Sequence, residues 1–335
     1  PPRSERPHDA GAGAEAAQGP SHDPSCPFCP GNEDQLAAIL SETPGDDGGW
    51  ATRVVPNRYP AFTNDPTRGE WVDAYMAAAG SGVGKCLRLG SDVPVVLADP
   101  LPAVGYQEVI IDTPRHDRDL TDMEPDELGR VLSTYHARYV SVSESAPACR
   151  VFLFRNRGRE AGTSLVHPHA QLIATAVVPP EIRVREIRAL GYYGDHGRCL
   201  VCALPDIEPA WSERTVARSV RFTAFVPWAA ETPFEVWIVP RKHQAEFGQA
   251  TREDLHDLAG ILSEVLGKLR DRAGDPPLNL IVHSPRRSRS GSKAFHWTIQ
   301  LRPRASQLAG FELASGILIN ASSPVQDART LRGEG

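Results

Sequence analysis

The strongest constraint on the fold is an internal repeat, in which similar segments recur 127 residues apart. Residues 108–111 (EVII) lead through a Pro-Arg pair to His116, and residues 235–238 (EVWI) lead through Pro-Arg-Lys to His243. Each half also begins with a C-x-x-C pair and ends with an apolar segment that carries histidine. Because features that recur in a constant order are typical of a duplicated structural unit, we interpret the chain as two copies of one unit.

Each half has the pattern of a strand, a helix and two further strands. A short β-type run precedes each repeated histidine and a helical pattern follows it, with a capping box at Thr251 and Asp254 in the second half and Pro125 at an N1-like position in the first. The predicted strands are 109–111, 151–154, 166–175, 236–239, 278–282 and 295–301. We therefore predict an α+β fold with antiparallel sheets and helices packed on them, divided into residues 1–182 and 183–335.

The composition excludes several classes of protein. The 335 residues contain no stretch near the roughly 18 consecutive apolar residues that a membrane-spanning helix requires. A net charge of -6 argues against binding to nucleic acid or to anionic membranes. The first residues (PPRSERPHDA) contain no apolar segment of a signal peptide. Two C-x-x-C pairs without such a signal suggest metal or redox chemistry, and we expect a cytoplasmic protein.

The segment His-Pro-His-Ala-Gln at residues 167–171 is the most informative short motif. Alternate side chains of a strand share a face, which places His167, His169 and Gln171 on one side. Three polar side chains on one face are costly to bury unless they bind something. Pro168 predicts an edge position or an interruption of the ladder. The alternative interpretation is two surface histidines on an edge strand.

Together with residues 162–164 (GTS), this motif resembles the active-site motif of the histidine-triad superfamily, and of galactose-1-phosphate uridylyltransferases in particular. The resemblance extends over nearly the whole chain and includes residues 3–9 (RSERPHD), 26–33 (CPFCPGNE), 55–60 (VPNRYP), 114–117 (PRHD), 156–158 (NRG) and 309–312 (AGFE). It implies that each half is a histidine-triad-like unit and that His169 is a nucleophile. It also implies a zinc site whose ligands are Cys26, Cys29, His116 and His167.

The chemistry of these residue types agrees with the implied roles. Two thiolates and two imidazoles form a closed tetrahedral zinc site of the structural kind, and a redox pair is the alternative for the two cysteines. A neutral imidazole at His169 can attack the α-phosphorus of a nucleoside diphosphate sugar and hold the nucleotide covalently. Gln171 and Ser164 are expected to donate to the phosphoryl oxygens. The resemblance implies further substrate contacts by Arg3, Arg6, Asn57, Asn156 and Gly162.

The second half repeats the zinc ligands but not the nucleophile. Aligning residues 296–300 (HWTIQ) with the first motif puts Thr298 at the position of His169, and threonine cannot take that covalent role. We therefore predict one active site per chain. A second zinc site is predicted at Cys199, Cys202, His243 and His296. A competing ligand is His283, for which Glu181 would be the acidic partner.

The leading function predicted from the sequence is an exchange of sugar 1-phosphates on a nucleoside diphosphate sugar, most simply between UDP-glucose and galactose 1-phosphate. Arg58 stands where uridylyltransferases often carry Asp, so the resemblance does not assure uracil. One alternative is an ADP-sugar phosphorylase or nucleotide-sugar hydrolase that uses the same His169. Another is a zinc-stabilised nucleotide-binding protein without turnover. No nucleic-acid or membrane partner is expected, and the family implies a homodimer.

Overall fold

The computed structural model describes residues 19–62, 103, 105–145, 150–175, 178–286, 289, 291–304 and 309–334. Its strands are β1 (Ser41–Pro44), β2 (Trp50–Pro56), β3 (Gly105–Ile111), β4 (Arg150–Arg157), β5 (His169–Thr175), β6 (Thr215–Arg218), β7 (Phe222–Phe225), β8 (Val236–Pro240), β9 (Leu278–His283) and β10 (Thr298–Pro303). They form one antiparallel sheet in the order β1-β2-β3-β5-β4-β9-β10-β8-β7-β6. The predicted α+β class with an antiparallel sheet is confirmed.

Two long helices cover one face of this sheet. The helices are α1 (Pro125–Ser145), α2 (Pro180–His196), α3 (Leu200–Ile207), α4 (Trp211–Arg214), α5 (Arg252–Ala273), α6 (Gly310–Ser315) and α7 (Pro324–Arg332). α1 packs on β2, β4 and β5, α5 packs on β6 and β7, and the two helices contact each other. α5 begins with the predicted capping box, because the Thr251 hydroxyl accepts from the Asp254 N–H and the Asp254 carboxylate accepts from the Thr251 N–H. The apolar stripe that includes Leu255, Leu258 and Leu262 is buried.

The strand order is symmetric about the β4–β9 pair, which joins the two halves in one sheet. Each strand of the first half has its counterpart at the same distance on the other side of this pair. Phe154 of β4 lies opposite Ile281 of β9, and these residues are separated by the repeat spacing of 127. A pair of equivalent residues that face each other marks a local two-fold axis. The duplication predicted from the sequence therefore appears as a pseudo-two-fold relation within a single sheet.

The register of β3 and β8 corrects the alignment of the two repeats by one residue. Val109 lies opposite Gln171 in β5, and Trp237 lies opposite Gln300 in β10, so these two strands correspond at a spacing of 128. The spacing returns to 127 at His116 and His243. The first half therefore has one more residue in the corner between strand and histidine, which a motif match without register cannot detect.

The histidine motif lies in the middle of the first half of the sheet, and the prediction of an edge strand is wrong. β5 begins at His169 and pairs with β3 on one side and β4 on the other. Pro168 lies just before the ladder, where its missing N–H costs nothing, and its carbonyl accepts from the Asp112 N–H at 3.0 Å. The alternative prediction, an interruption of the hydrogen-bond ladder at Pro168, corresponds to the start of β5 at the next residue.

Among the described residues, no helix has the length and apolar character required to cross a membrane. The predicted division between residues 182 and 183 falls inside α2 and stays a prediction.

Candidate active site

The structure brings together the four residues of the first predicted zinc site. Cys29 Sγ lies 3.5 Å from His116 Nδ1 and 3.6 Å from His167 Nδ1, and Cys26 Sγ lies 3.7 Å from His167 Nδ1. All four ligand atoms are within 4.8 Å of one another, and all four residues are buried. A tight turn, closed by the Cys29 N–H on the Cys26 carbonyl at 3.2 Å, directs both thiols towards the imidazoles.

The orientation and the protonation states of this first Cys/His group suit metal binding. The Nε2–H of His167 donates to the Thr113 carbonyl at 2.8 Å, which leaves the lone pair of Nδ1 towards the thiols. Burial lowers the pKa of His167 to about 3 and raises the pKa of the Cys26 thiol to about 12. A neutral imidazole is the ligating form, and a divalent cation would stabilise the thiolates that burial disfavours. Two thiols and two imidazoles in this arrangement fit tetrahedral zinc.

The second predicted group of ligands is assembled in the same way. Cys202 Sγ lies 3.4 Å from the Nδ1 atoms of both His243 and His296, and Cys199 Sγ lies 3.8 Å from His296 Nδ1. The Nε2–H of His296 donates to the Pro240 carbonyl at 3.0 Å. Pro240 follows Thr113 by 127 residues, so the two Cys/His groups use equivalent backbone carbonyls to orient a histidine. These residues also fit tetrahedral zinc.

His283 does not belong to a ligand group in the described part of the chain, and the competing assignment with Glu181 is wrong. His283 lies on β9 opposite Thr298, whereas His296 turns towards the two cysteines before β10 begins. Burial lowers the pKa of His283 to about 3, and the charge of Arg185 acts in the same direction.

His169, the predicted nucleophile, is held in a defined tautomer. Its Nδ1–H donates to the His167 carbonyl at 2.8 Å. A neutral imidazole carries one proton, so this bond puts the lone pair on Nε2. The ring of Phe28 packs edge-on against that of His169, with centroids 5.3 Å apart. The first Cys/His group and His169 therefore share one backbone segment, because His167 belongs to the group and its carbonyl orients the ring of His169.

A pocket beside His169 contains five of the predicted site residues, namely Cys26, Asn57, Ser164, His169 and Gln171. Its wall is formed by Asp23, Ser25, Cys26, Pro27, Phe28, Gln35, Leu36, Ala37, Val55, Pro56, Asn57, Arg58, Tyr59, Val109, Ser164, Leu165, His169 and Gln171. Arg3 and Arg6 lie outside the described residues. The pocket combines apolar walls with a few polar groups beside a histidine, as small-molecule sites do.

Asn156 lies near the end of β4 and Gly162 lies in the loop between β4 and β5, and neither residue is in the wall of this pocket. Gly162 has a left-handed backbone, with φ at 88°. The Asn156 side-chain oxygen accepts from the amide of Asn279 at 2.9 Å, and the same amide donates to the Ala161 carbonyl at 2.8 Å. Asn279 belongs to β9, so the second half supports the loop of the first. The sequence analysis missed Asn279, because its contact depends on the β4–β9 register.

A buried network of charges supports the corner before His116. Arg155 on β4 donates to Asp112 at 2.8 Å and to Asp119 at 3.1 Å, and the Tyr135 hydroxyl on α1 donates to Asp112 at 2.6 Å. Burial raises the pKa of Asp112, against the charge of Arg155. The Asp112 N–H in turn holds the Pro168 carbonyl. This network had no signal in the sequence, since its members lie far apart in the chain.

Known proteins resemble the chain in both sequence and structure. The family described as "Galactose-1-phosphate uridyl transferase, N-terminal domain" matches residues 1–179. An ADP-glucose phosphorylase from Arabidopsis thaliana is 30% identical over 99% of this chain and 88% of its own length. A galactose-1-phosphate uridylyltransferase from Thermotoga maritima is 26% identical over 82% of each chain. The crystal structure of an Arabidopsis thaliana ADP-glucose phosphorylase with bound ADP-glucose has a TM-score of 0.76 and 29% identity, and the match covers 98% of this chain and 92% of that one. The chain belongs to the galactose-1-phosphate uridylyltransferase family.

Proposed function

We propose that the protein transfers a nucleotidyl group from a nucleoside diphosphate sugar to an acceptor through a covalent bond to His169. The observation that carries this proposal is the bond from His169 Nδ1–H to the His167 carbonyl in the wall of the pocket. This bond orients the imidazole and puts a nucleophilic lone pair on Nε2 without the help of a separate base.

The reaction has two balanced steps. Nε2 of His169 attacks the α-phosphorus, the bond from that phosphorus to the bridging oxygen breaks, and the sugar 1-phosphate leaves with the electron pair. An acceptor oxygen then attacks the same phosphorus, and the P–N bond breaks and returns the electron pair to Nε2. Negative charge on the phosphoryl oxygens would be stabilised by the Gln171 amide and the Ser164 hydroxyl, which line the pocket.

Two zinc ions would have a structural role. Cys26, Cys29, His116 and His167 would hold one ion, and Cys199, Cys202, His243 and His296 would hold the other. When bound, zinc would supply four fixed bonds that tie the cysteine turn to the histidine-bearing segments. The first of these segments also carries His169, so the metal would fix the backbone on which the nucleophile is mounted.

The donor we favour is ADP-glucose, with inorganic phosphate as acceptor. The relative described as an ADP-glucose phosphorylase aligns with nearly the whole chain, and the relatives described as galactose-1-phosphate uridylyltransferases align over smaller shares. Arg58, in place of the Asp of many uridylyltransferases, forms part of the pocket wall and donates to the Gln35 carbonyl at 2.9 Å. This order reverses the one predicted from the sequence, where UDP-glucose and galactose 1-phosphate came first. The uridylyltransferase reaction is the second candidate, because a family member of that description matches 82% of the chain.

A homodimer is part of the proposal, since two segments expose large apolar side chains. On α2 these are Val184, Ile187 and Leu190, and between residues 311 and 319 they are Phe311, Leu313, Ile317, Leu318 and Ile319. Apolar patches of this kind mark protein contacts in soluble proteins. Sedimentation at micromolar concentration should give about twice the 36.4 kDa of one chain, and a monomer would contradict this part of the proposal.

Intact-protein mass spectrometry without acid tests the covalent step. The protein is incubated with ADP-glucose or with UDP-glucose in the absence of an acceptor, and the expected result is an added AMP from ADP-glucose. The adduct should be absent from His169→Gly and present in His256→Ala, a control on the exposed side of α5. An adduct of UMP alone would favour the second candidate, and no adduct from either donor would contradict the proposed catalysis and favour a binding role.

The acceptor is identified by discharging the adduct. Inorganic phosphate, galactose 1-phosphate or buffer alone is added to the isolated adduct, and the released nucleotide is identified. Release of ADP by phosphate supports the phosphorylase reaction, release of a nucleotide sugar by galactose 1-phosphate supports the exchange reaction, and rapid release of AMP in buffer supports a hydrolase.

A further inference from the structure

A second glutamine, Gln107 on β3, contacts the amide of Gln171. Gln107 Nε2 donates to Gln171 Oε1 at 3.1 Å, and Gln107 Oε1 accepts from the Ala61 N–H at 2.8 Å. The two glutamines are diagonal neighbours on adjacent strands, because Gln107 lies opposite Ile173 and Gln171 lies opposite Val109. Both side chains are more than nine-tenths buried.

The direction of this chain of hydrogen bonds is fixed at one end by the backbone. A backbone N–H can only donate, so the group of Gln107 that faces Ala61 must be the carbonyl oxygen. The NH₂ group of Gln107 then faces Gln171 and requires an acceptor there, which is Gln171 Oε1. The Gln171 amide is thereby turned so that its own NH₂ is the group available to the pocket.

The second half of the chain provides an internal comparison. Gln300 corresponds to Gln171, and the register of β8 places Glu235 at the position of Gln107. Glu235 instead accepts from Trp237 Nε1 at 2.7 Å and from the Glu231 N–H at 2.7 Å. The half with Thr298 in place of the nucleophile thus lacks the orienting glutamine as well.

We infer that Gln107 is a positioning residue, which fixes the Gln171 amide with its NH₂ group towards the phosphoryl oxygens of the bound nucleotide. The inference rests on the proposed function, because it assigns Gln107 a task in the nucleotidyl transfer to His169. An unfixed amide could present its carbonyl oxygen to the phosphoryl group, where two negative oxygens would repel each other. A fixed NH₂ group is preorganised for the charge that develops in the transition state.

Gln107→Glu is the most direct test, because it reverses the donor and acceptor roles in the hydrogen bond between residue 107 and Gln171. A carboxylate can accept from the Ala61 N–H and from Gln171 Nε2 but cannot donate to Gln171 Oε1. The Gln171 amide then rotates and presents its oxygen to the pocket. We expect the rate of adduct formation at saturating donor to fall about 100-fold or more, the size of effect seen when one oxyanion donor is removed. The donor concentration for half-maximal rate should change little.

The double-variant cycle with Gln171→Ala separates positioning from other effects. If Gln107 acts through Gln171, Gln107→Glu should slow the Gln171→Ala protein less than about threefold. A charge that merely repelled the nucleotide would slow both backgrounds equally. Glu235→Gln, at the equivalent position of the second half, is the control and should leave the adduct rate unchanged.

Circular dichroism and zinc content establish that each variant is folded. Adduct formation by Gln107→Glu at the wild-type rate, or an equal loss of rate in the two backgrounds, would overturn the inference while the wild-type adduct still supported the proposed function. Absence of the adduct in the wild-type protein would overturn both.

Discussion

Replacing Arg155 by Val tests whether buried charges hold the corner that supports the histidine motif. The Arg155 side chain is 5% exposed, and its Nε–H donates to Asp112, which also accepts from the Tyr135 hydroxyl. The equivalent position in the second half, 127 residues later, is Val282, which is buried against the same layer of helices. Valine is therefore a side chain that this kind of sheet position can pack.

The size of the effect follows from the burial of Asp112. Its side chain is 0% exposed, so the removal of Arg155 leaves a carboxylate without water or a counter-charge. Breaking a buried ion pair at one partner costs about 3–5 kcal/mol. The second contact of the guanidinium, with Asp119, adds little because that carboxylate is 22% exposed. We expect Arg155→Val to lower the free energy of unfolding by about 3–5 kcal/mol.

A second substitution tests whether the unpaired Asp112 carboxylate causes the loss of stability in Arg155→Val. In Asp112→Asn/Arg155→Val the buried group is neutral, and we expect this double variant to be more stable than Arg155→Val by at least about 1 kcal/mol. The deficit of Arg155→Val should also shrink at low pH. Burial already raises the pKa of Asp112, and loss of the arginine raises it further, so the protonated carboxyl is favoured in the folded state as pH falls.

Urea unfolding followed by far-ultraviolet circular dichroism, with zinc in the buffer, measures these free energies between pH 5 and pH 8. The wild type, the two single variants and the double variant form a complete cycle. A loss below about 1 kcal/mol for Arg155→Val would refute the reasoning, since that is the size of an ordinary substitution. A double variant no more stable than Arg155→Val would show that lost packing, and not the carboxylate, causes the effect.

Substitutions in the cap of α5, in the two Cys/His groups and at Gly158 have equally specific expected effects. Thr251→Ala removes the hydroxyl that caps α5 and should cost about 1 kcal/mol in urea unfolding. Burial opposes the ionisation of Asp254, but its hydrogen bonds, among them those with Thr251, hold its pKa below the ordinary value. The ionised carboxylate therefore contributes to the free energy of unfolding above about pH 4, and this contribution is lost as pH falls further. Asp254→Asn should accordingly make the free energy of unfolding less dependent on pH in the acid range. Cys29→Ser and Cys202→Ser should each lower the zinc content by one ion per chain in elemental analysis. The rate of nucleotidyl-adduct formation should fall more in Cys29→Ser than in Cys202→Ser. An unchanged zinc content would contradict the assigned ligands. Gly158→Ala should cost about 1–3 kcal/mol, because Gly158 has φ at 83° and an added Cβ would lie 2.9 Å from Pro277; a neutral effect in thermal unfolding would argue against this strain.

The sequence could predict the repeated elements and both Cys/His groups that could hold a metal ion, because these depend on local pattern and on motif order. It could not predict how the halves join, since the pairing of β4 with β9 is a contact between residues more than 100 positions apart. The same limit explains the one-residue error in the match of residues 108–111 with 235–238, which only the pairing of Val109 with Gln171 and of Trp237 with Gln300 reveals.

The candidate site was predictable to the extent that its residues lie in short motifs. His169 and Gln171 belong to one motif, and the structure places both in the wall of one pocket. Gln107 and Asn279 are ordinary polar residues in their own segments, and their contacts follow from the register of neighbouring strands. His283 shows the converse error, because the sequence admitted it as a competing ligand with Glu181, while in the described part of the chain it lies on β9 outside both Cys/His groups.

The two halves share a backbone arrangement but differ in sequence at the position of the proposed nucleophile and at the position of the glutamine proposed to orient Gln171. Thr298 stands at the position of His169, and Glu235 stands at the position of Gln107.

The second half nevertheless contributes directly to the first. β9 covers the edge of β4, the Asn279 amide binds the Ala161 carbonyl in the loop that leads to the histidine motif, and Pro277 packs against Gly158 of the same loop. Residues 1–182 alone would expose β4 as an unpaired edge and would lose these supports. The second half is therefore part of the structure that positions His169.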